Sequence, residues 1–267
     1  MKILLTISYV GTNYFGYQLQ EDKPTVALML NRAVKKTFGF DCNVTGCSRT
    51  DSGVHALGYC LSVDPVSEND VITVPVERIP IALNTALPKD ICVLSAKEVP
   101  DSFHPRYDVV RKEYVYRIRT GEIRDPFLCG RVMELGKGAE VISVEKMEKA
   151  ARDFIGTYDF SSFMASGSKI KDATRTVFES EITKKGDIIE YRVSADGFLY
   201  NMVRIIMGTL IDVSQKRILP ENIPAILNGN RRVEAGMTAP ACGLHLSRVE
   251  YPEGLCDELY RQIYQHE

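Results

Sequence analysis

The densest polar stretch of the chain reads GCSRTDSGVHA and covers residues 46–56. It lies between two short apolar segments, residues 41–47 and 57–63, which read as β-strands. Glycines on both sides of Asp51 permit backbone shapes that other residues resist, so the loop can direct its Arg, Thr, Asp, Ser and His side chains into a cleft. The alternative is a long hairpin turn in which Asp51 and Ser52 only bond backbone amides, and composition alone favours that turn.

The segments around this loop follow one order of elements twice. Apolar periodicity predicts alternating strands and helices in the first half over residues 2–10, 25–38, 41–47, 57–63, 76–87 and 91–98. The same order returns in the second half over residues 111–119, 143–155, 174–183, 188–194, 199–213 and 244–249. We therefore predict an α+β fold of two βαββαβ halves, divided into residues 1–105 and residues 106–267.

Composition sets broad limits on function. The 267 residues are 45% hydrophobic and 25% charged, as in an ordinary folded protein. No run approaches the ~20 apolar residues of a membrane span. The formal net charge of −2 excludes a global polycation, although a local basic patch can still bind RNA. Seven cysteines without CxxC spacing favour unpaired cytosolic thiols over a metal site, and the spacing of Cys47 and His55 matches no standard metal pattern.

Two other regions carry residues suited to chemistry or binding. Basic and aromatic side chains interleave in residues 103–106 and 111–119, which suits RNA because cations meet phosphates while rings stack on bases. The alternative is a solvated strand face whose tyrosines pack on the core. Arg204 falls inside an otherwise apolar helix. It either extends to the surface or pairs with a buried carboxylate.

The loop at residues 46–56 closely resembles the GxGRTDxGVHA signature of the tRNA pseudouridine synthase A family. Further motifs of that family are matched in order by residues 9–20, 84–90, 103–106, 112–116, 158–163, 198–208 and 239–251. The chain departs from the family pattern at four positions: Val10 replaces Asp, Tyr17 replaces Trp, Ser48 replaces Gly and Ser52 replaces Ala.

This resemblance implies a fold of two ferredoxin-like halves with joined antiparallel sheets and a central cleft. It also implies isomerisation of uridine to pseudouridine in the anticodon arm of tRNA, typically at positions 38 to 40, with no metal and no organic cofactor. Asp51 would attack C1′ of the nucleotide or stabilise its developing positive charge. Arg204 would keep that carboxylate ionised at neutral pH.

The remaining site residues are assigned in the same way. Tyr114 would stack on the uracil, Leu244 would lie on the other side of the base, and Arg49 would fill the vacated space or hold a phosphate of the flipped nucleotide. The basic side chains expected to bind RNA beside Arg49 are Arg106, Arg111, Lys112, Lys169, Lys171 and Arg175. The expected partners are tRNA and a second copy of the chain, with no membrane, in the cytoplasm.

Three other functions are consistent with parts of the pattern. A non-catalytic RNA-binding protein with two RRM-like halves would share the element order and the basic, aromatic strands. A divergent paralogue would have reduced activity or act at a shifted site, because Ser48 adjoins the expected active site. A metal hydrolase would need clustered Cys and His ligands. The loop at residues 46–56 favours the synthase, because simple RRM binding needs no aspartate there.

Overall fold

The computed structural model describes residues 1–136, 142–167 and 170–252. These residues form two compact units. One unit is Met1–Val110 with the described residues from Leu246 onward, and the other is Arg111–His245. The expected division was into residues 1–105 and 106–267, whereas this grouping places residues 106–110 and most of the last strand in the first unit.

The first unit has the predicted element order. It contains β1 (Lys2–Tyr9), α1 (Val26–Phe38), β2 (Cys42–Gly46), β3 (His55–Pro65), α2 (Ile79–Asn84) and β4 (Ile91–Val99). β1 pairs antiparallel with both β3 and β4, and β2 pairs antiparallel with β3. The resulting sheet order, β4-β1-β3-β2, is that of a ferredoxin-like unit and places β3 next to the loop at residues 46–56.

The first helix shows how local sequence sets these boundaries. Thr25 accepts a hydrogen bond from the backbone N–H of Leu28 at 3.2 Å, which satisfies one donor at the start of α1. Gly39 ends the helix with a φ of 86°, a left-handed conformation that glycine adopts without strain. The side chains of Val26, Leu30 and Val34 are buried on one face. The start and end that the sequence predicts for this helix are confirmed.

The second unit repeats much of this arrangement with additions. It contains β5 (Arg111–Arg119), β6 (Met133–Glu134), α3 (Val144–Arg152), β7 (Gly156–Asp159), β8 (Thr174–Lys185), β9 (Ile188–Ala195), α4 (Met202–Ser214), α5 (Ile223–Gly229) and the start of β10 (Leu244–Glu250). β9 pairs antiparallel with β5 and β8, β8 pairs with β7, and β6 runs parallel to β5. From Leu246 onward β10 belongs to the first unit, where it lies beside β3. The α+β class is confirmed.

Several elements differ from the sequence prediction. α2 is shorter than the predicted helix over residues 76–87, and the side-chain amide of Asn84 bonds the backbone N–H and C=O of Val93 at 2.7 and 2.9 Å. α4 begins at Met202 because Asn201 has a left-handed φ of 60°. β6, β7 and α5 were not predicted, since such short elements offer little periodicity. In the described part of the chain, no helix combines the length and apolar character that crossing a membrane requires.

Candidate active site

The loop between β2 and β3 holds Asp51 by fixing the residue before it. Thr50 is buried, and its Oγ1 shares a hydrogen bond of 2.8 Å with the hydroxyl of Tyr9 on β1. The carbonyl oxygen of Thr50 accepts a hydrogen bond of 3.1 Å from the backbone N–H of Tyr17. Asp51 itself is half-buried. The residue before Asp51 is therefore held through both its side chain and its carbonyl oxygen.

The residues after Asp51 are anchored as well. The hydroxyl of Ser52 and the N–H of Gly53 both donate to the carbonyl oxygen of Tyr14, at 3.2 and 3.3 Å. The N–H of Val54 donates to the carbonyl oxygen of Asp51 at 3.2 Å and closes the turn. Asp51 therefore lies between two fixed neighbours. Ser52 replaces the customary alanine of the resembled family, and its hydroxyl supplies a bond that alanine could not make.

A glycine lets the neighbouring segment lie directly against this loop. Gly16 has a φ of +85°, and a Cβ added to it would lie 2.5 Å from the carbonyl oxygen of Thr50. A side chain at this position would meet main chain that cannot rotate away. Glycine at position 16 therefore allows the neighbouring N–H of Tyr17 to bond the carbonyl oxygen of Thr50.

His55 is a core residue of the first unit. Its ring is 2% exposed, and Nδ1 lies 3.0 Å from the backbone nitrogen of Gly11, whose N–H donates to it. This bond assigns Nδ1 as an acceptor, so the proton of the neutral ring is on Nε2. Over the described ranges, no group of three or more His, Cys, Asp or Glu side chains could hold a metal ion.

Asp90 fixes the segment that contacts the loop. Its carboxylate accepts a hydrogen bond of 2.5 Å from the hydroxyl of Tyr14, and its carbonyl oxygen accepts one from the N–H of Val10 at 2.9 Å. Burial and the bonded carboxylate both raise the pKa of Tyr14, which keeps its hydroxyl protonated as a donor. Asp90 thus holds Tyr14, and the carbonyl of Tyr14 in turn holds Ser52 and Gly53.

The other expected site residues lie in the second unit. Tyr114 is 6% exposed on β5, and its ring meets that of Phe198 edge-on at 5.0 Å. Arg204 is half-buried on α4, where Nε donates to the carbonyl oxygen of Ala239 at 2.7 Å and Nη1 donates to Oδ1 of Asn201 at 2.8 Å. Leu244 is 6% exposed at the start of β10. The pairing of Arg204 with Asp51 stays a prediction.

Sequence comparison identifies the family. A family model described as tRNA pseudouridine synthase matches residues 5–108 and 150–252. The tRNA pseudouridine synthase A of Caldicellulosiruptor saccharolyticus is 43% identical over 250 residues, which cover 94% of this chain and 99% of that protein. The tRNA pseudouridine synthase A of Moorella thermoacetica is 42% identical, covering 92% of this chain and 98% of that protein. The chain belongs to the tRNA pseudouridine synthase family.

Another relative and one solved structure are also similar to this chain. The tRNA pseudouridine synthase A of Thermoanaerobacter pseudethanolicus is 41% identical, with 94% of this chain and 99% of that protein covered. A chain from the crystal structure of a Cbf5-Nop10-Gar1 complex matches with a TM-score of 0.33 and 12% identity, covering 91% of this chain and 57% of that one. This structural similarity is too low to bear on function, so membership of the synthase family rests on the sequence matches.

Within this synthase the expected RNA-binding cations differ in their surroundings. Arg49 and Lys171 are exposed, and neither makes a hydrogen bond or ion pair with any residue that the structure describes. Arg111 is ion-paired with Glu179 and donates to Ser194 at 2.7 Å, so its charge is partly compensated. Contact of Arg49, Lys171 and Arg111 with phosphate groups stays a prediction.

The surroundings of the other four expected RNA-binding residues say less about RNA binding. Arg175 donates to the carbonyl oxygens of Asp172 and Thr174. Lys112 is half-buried at the start of β5 and Arg106 is half-buried in the first unit. Lys169 lies outside the described residues. A role in RNA binding for these four residues stays a prediction.

Sequence reasoning missed the residues that hold the synthase loop. Tyr9, Tyr14 and Tyr59 all bond its backbone or side chains, yet each reads in the sequence as an ordinary core aromatic. Their partners are distant in sequence, and strand periodicity carries no signal for such contacts. The one available hint was Tyr17, because it departs from the family pattern within the same cluster.

Proposed function

We propose that this synthase isomerises uridine to pseudouridine in the anticodon arm of tRNA, at positions 38 to 40, with Asp51 as the catalytic carboxylate. The observation that carries the proposal is the half-buried Asp51 between two anchored neighbours, in the loop that matches the family signature. A carboxylate held in this way acts without first being reorganised.

The reaction is an isomerisation, so no atom is gained or lost. The bond between N1 and C1′ breaks, the uracil turns, and C5 bonds to C1′, after which C5 releases its proton and N1 carries one. Asp51 attacks C1′ or stabilises its developing positive charge. This role requires an ionised carboxylate, and the family resemblance assigns the balancing positive charge to Arg204.

The target base must leave the helical stack before Asp51 can reach C1′. Arg49 is two residues before Asp51 and is exposed, which supports a role in filling the vacated space or in holding a phosphate group. Tyr114 stacks on the uracil and Leu244 lies on its other face in this proposal. Both are large apolar side chains, each only 6% exposed, which supports contact with a flat base.

The assembly and location are part of the same proposal. We infer that tRNA is the substrate partner, that the synthase acts as a homodimer in the cytoplasm, and that its chemistry needs neither a metal nor an organic cofactor. Light scattering of the purified protein with and without tRNA tests the dimer. A monomer that retains full activity would contradict it.

The decisive experiment supplies the purified synthase with unmodified tRNA transcripts and maps pseudouridine at single-nucleotide resolution. We expect new pseudouridine at positions 38 to 40. Tight tRNA binding without any pseudouridine would instead indicate the RNA-binding protein with two RRM-like halves. Pseudouridine elsewhere in the tRNA would indicate a divergent paralogue with shifted site specificity.

A further inference from the structure

Tyr59 lies at the centre of the first unit. It is on β3, opposite Ile7 of β1, and none of its surface is exposed. Its ring stacks on that of Tyr17 with centroids 4.4 Å apart and lies 5.9 Å from that of Tyr9. Both neighbouring tyrosines also bond Thr50, so Tyr59 belongs to the cluster that supports the catalytic loop.

The hydroxyl of Tyr59 bonds both backbone groups of one loop residue. It donates to the carbonyl oxygen of Ser48 at 2.5 Å and accepts from the N–H of Ser48 at 3.3 Å. Burial raises the pKa of Tyr59 well above its usual range, so the hydroxyl keeps the proton that it donates. A Cβ at residue 46 would lie 2.1 Å from this hydroxyl, so Gly46 leaves the space for it.

We propose that Tyr59 is a positioning residue for isomerisation, acting on Asp51 through the backbone of Ser48. The proposal rests on the proposed function, since it assumes that Asp51 is catalytic. Thr50 and the residues after Asp51 have their own anchors, whereas the hydroxyl of Tyr59 bonds Ser48 on the incoming side of the loop. Loss of this hydroxyl therefore displaces Asp51 in part and lowers the rate without abolishing it.

The variant Tyr59→Phe keeps the ring and removes only the hydroxyl. We expect the single-turnover rate at saturating tRNA to fall about tenfold, which corresponds to about 1.4 kcal/mol, with unchanged tRNA affinity. Tyr17→Phe is the control in the same ring stack, because the buried hydroxyl of Tyr17 makes no hydrogen bond to the backbone of Ser48. Tyr17→Phe should keep the single-turnover rate of the unaltered protein.

A second control separates positioning from stability. Tyr191 is fully buried on β9 of the second unit, and its hydroxyl shares a bond of 3.0 Å with Ser180. Tyr191→Phe should lower the melting temperature about as much as Tyr59→Phe and leave the rate unchanged. Equal rates in the two variants would overturn the proposal, even where Asp51→Asn is inactive and the proposed function stands.

A measurement on the unaltered protein tests the contact should Tyr59→Phe not fold. The amide hydrogen of Ser48 should exchange slowly with solvent, because it donates to a buried hydroxyl. Fast exchange at Ser48 beside slow exchange at Cys47, whose N–H donates to the carbonyl of Cys60 at 2.9 Å, would overturn the proposal.

Discussion

The hairpin formed by β2 and β3 in the first unit and the hairpin formed by β8 and β9 in the second hold the same place in the βαββαβ order. Residues 47–54 connect the first pair of strands, whereas residues 186–187 connect the second. Both pairs are antiparallel. A hairpin at this place needs only two connecting residues, so the longer loop around Asp51 is an addition that the fold does not require.

The aspartates of the two connections have different surroundings. In the shorter turn, the carboxylate of Asp187 lies 2.9 Å from Nε of the buried Arg119, and its carbonyl oxygen accepts bonds from Thr120 at 2.8 and 3.0 Å. Asp187 thus serves the turn itself. In the longer loop, Thr50, Ser52 and Gly53 bond the segment around Tyr9, Tyr14 and Tyr17, and the carbonyl oxygen of Asp51 accepts from Val54. The two connections therefore differ in length and in the residues that anchor them, and variants of the two aspartates test whether they also differ in function.

When each aspartate is replaced by asparagine, the largest loss of rate is expected at Asp51. Asp51→Asn should lower the single-turnover rate of isomerisation by roughly a thousandfold or more, because it removes a group that acts at the reacting carbon. Its tRNA affinity should persist, since binding is spread over many phosphate contacts. Asp187→Asn should keep the rate and lose only stability. Substantial turnover in Asp51→Asn would rule out the assigned mechanism.

Arg204 of the second unit is expected to keep Asp51 ionised, and its replacement should lower the rate less than that of Asp51. Arg204→Met removes a positive charge, and a carboxylate that loses such a neighbour holds its proton up to higher pH. The rate should then be lost earlier as the pH falls, moving the acid limb of the pH–rate profile upward by about 1–3 units. Arg232→Met is the control, because Arg232 also bonds carbonyl oxygens of this unit, at Ala235 and Gly236. Coincident profiles for the two variants would contradict the pairing.

Features that depend on neighbouring residues could be predicted from the sequence, whereas contacts between distant residues could not. The first helix was predicted over residues 25–38 from apolar periodicity, which depends on residues close in the chain. The assignment of Asp51 comes from an ordered signature of eleven residues, residues 46–56, and stays a prediction. The supports of the loop did not follow, because Tyr9 and Thr50 are joined only by the folded sheet. The grouping of β10 with the first unit likewise depends on contacts between residues distant in the chain.

A third comparison concerns two glycines, one in each unit, whose replacement by alanine should differ in effect. Gly16 and Gly186 both have positive φ, but a Cβ at Gly16 would strike Thr50, whereas one at Gly186 would meet nothing within 4 Å. Gly186→Ala should cost about 1–2 kcal/mol of stability and leave the rate unchanged. Gly16→Ala should cost about 2–5 kcal/mol and also slow isomerisation, since the loop must move. Chemical denaturation and single-turnover rates check both variants. A normal rate in a destabilised Gly16→Ala would separate this contact from catalysis.

The smallest effect concerns tRNA binding and its dependence on salt. The net charge is −2, so affinity for phosphate groups must come from local cations. Lys171 and Lys185 are both exposed in the second unit, and neither side chain makes a hydrogen bond or ion pair with the residues described there. Lys185 lies at the end of β8, beside the short turn, where we expect no RNA. The two lysines therefore form a matched pair that differs in position alone.

Lys171→Glu and Lys185→Glu change the net charge equally, so any difference between them reports on location. Each phosphate contact releases counterions, and affinity falls as salt rises in proportion to the number of contacts. Lys171→Glu should weaken tRNA binding a few-fold and reduce the slope of log affinity against log salt by about 1, whereas Lys185→Glu should leave that slope unchanged. Isomerisation at saturating tRNA should be normal in both, because neither lysine meets the reacting atoms. Equal slopes would place Lys171 outside the RNA path and leave residues 106–119 as the main surface for tRNA.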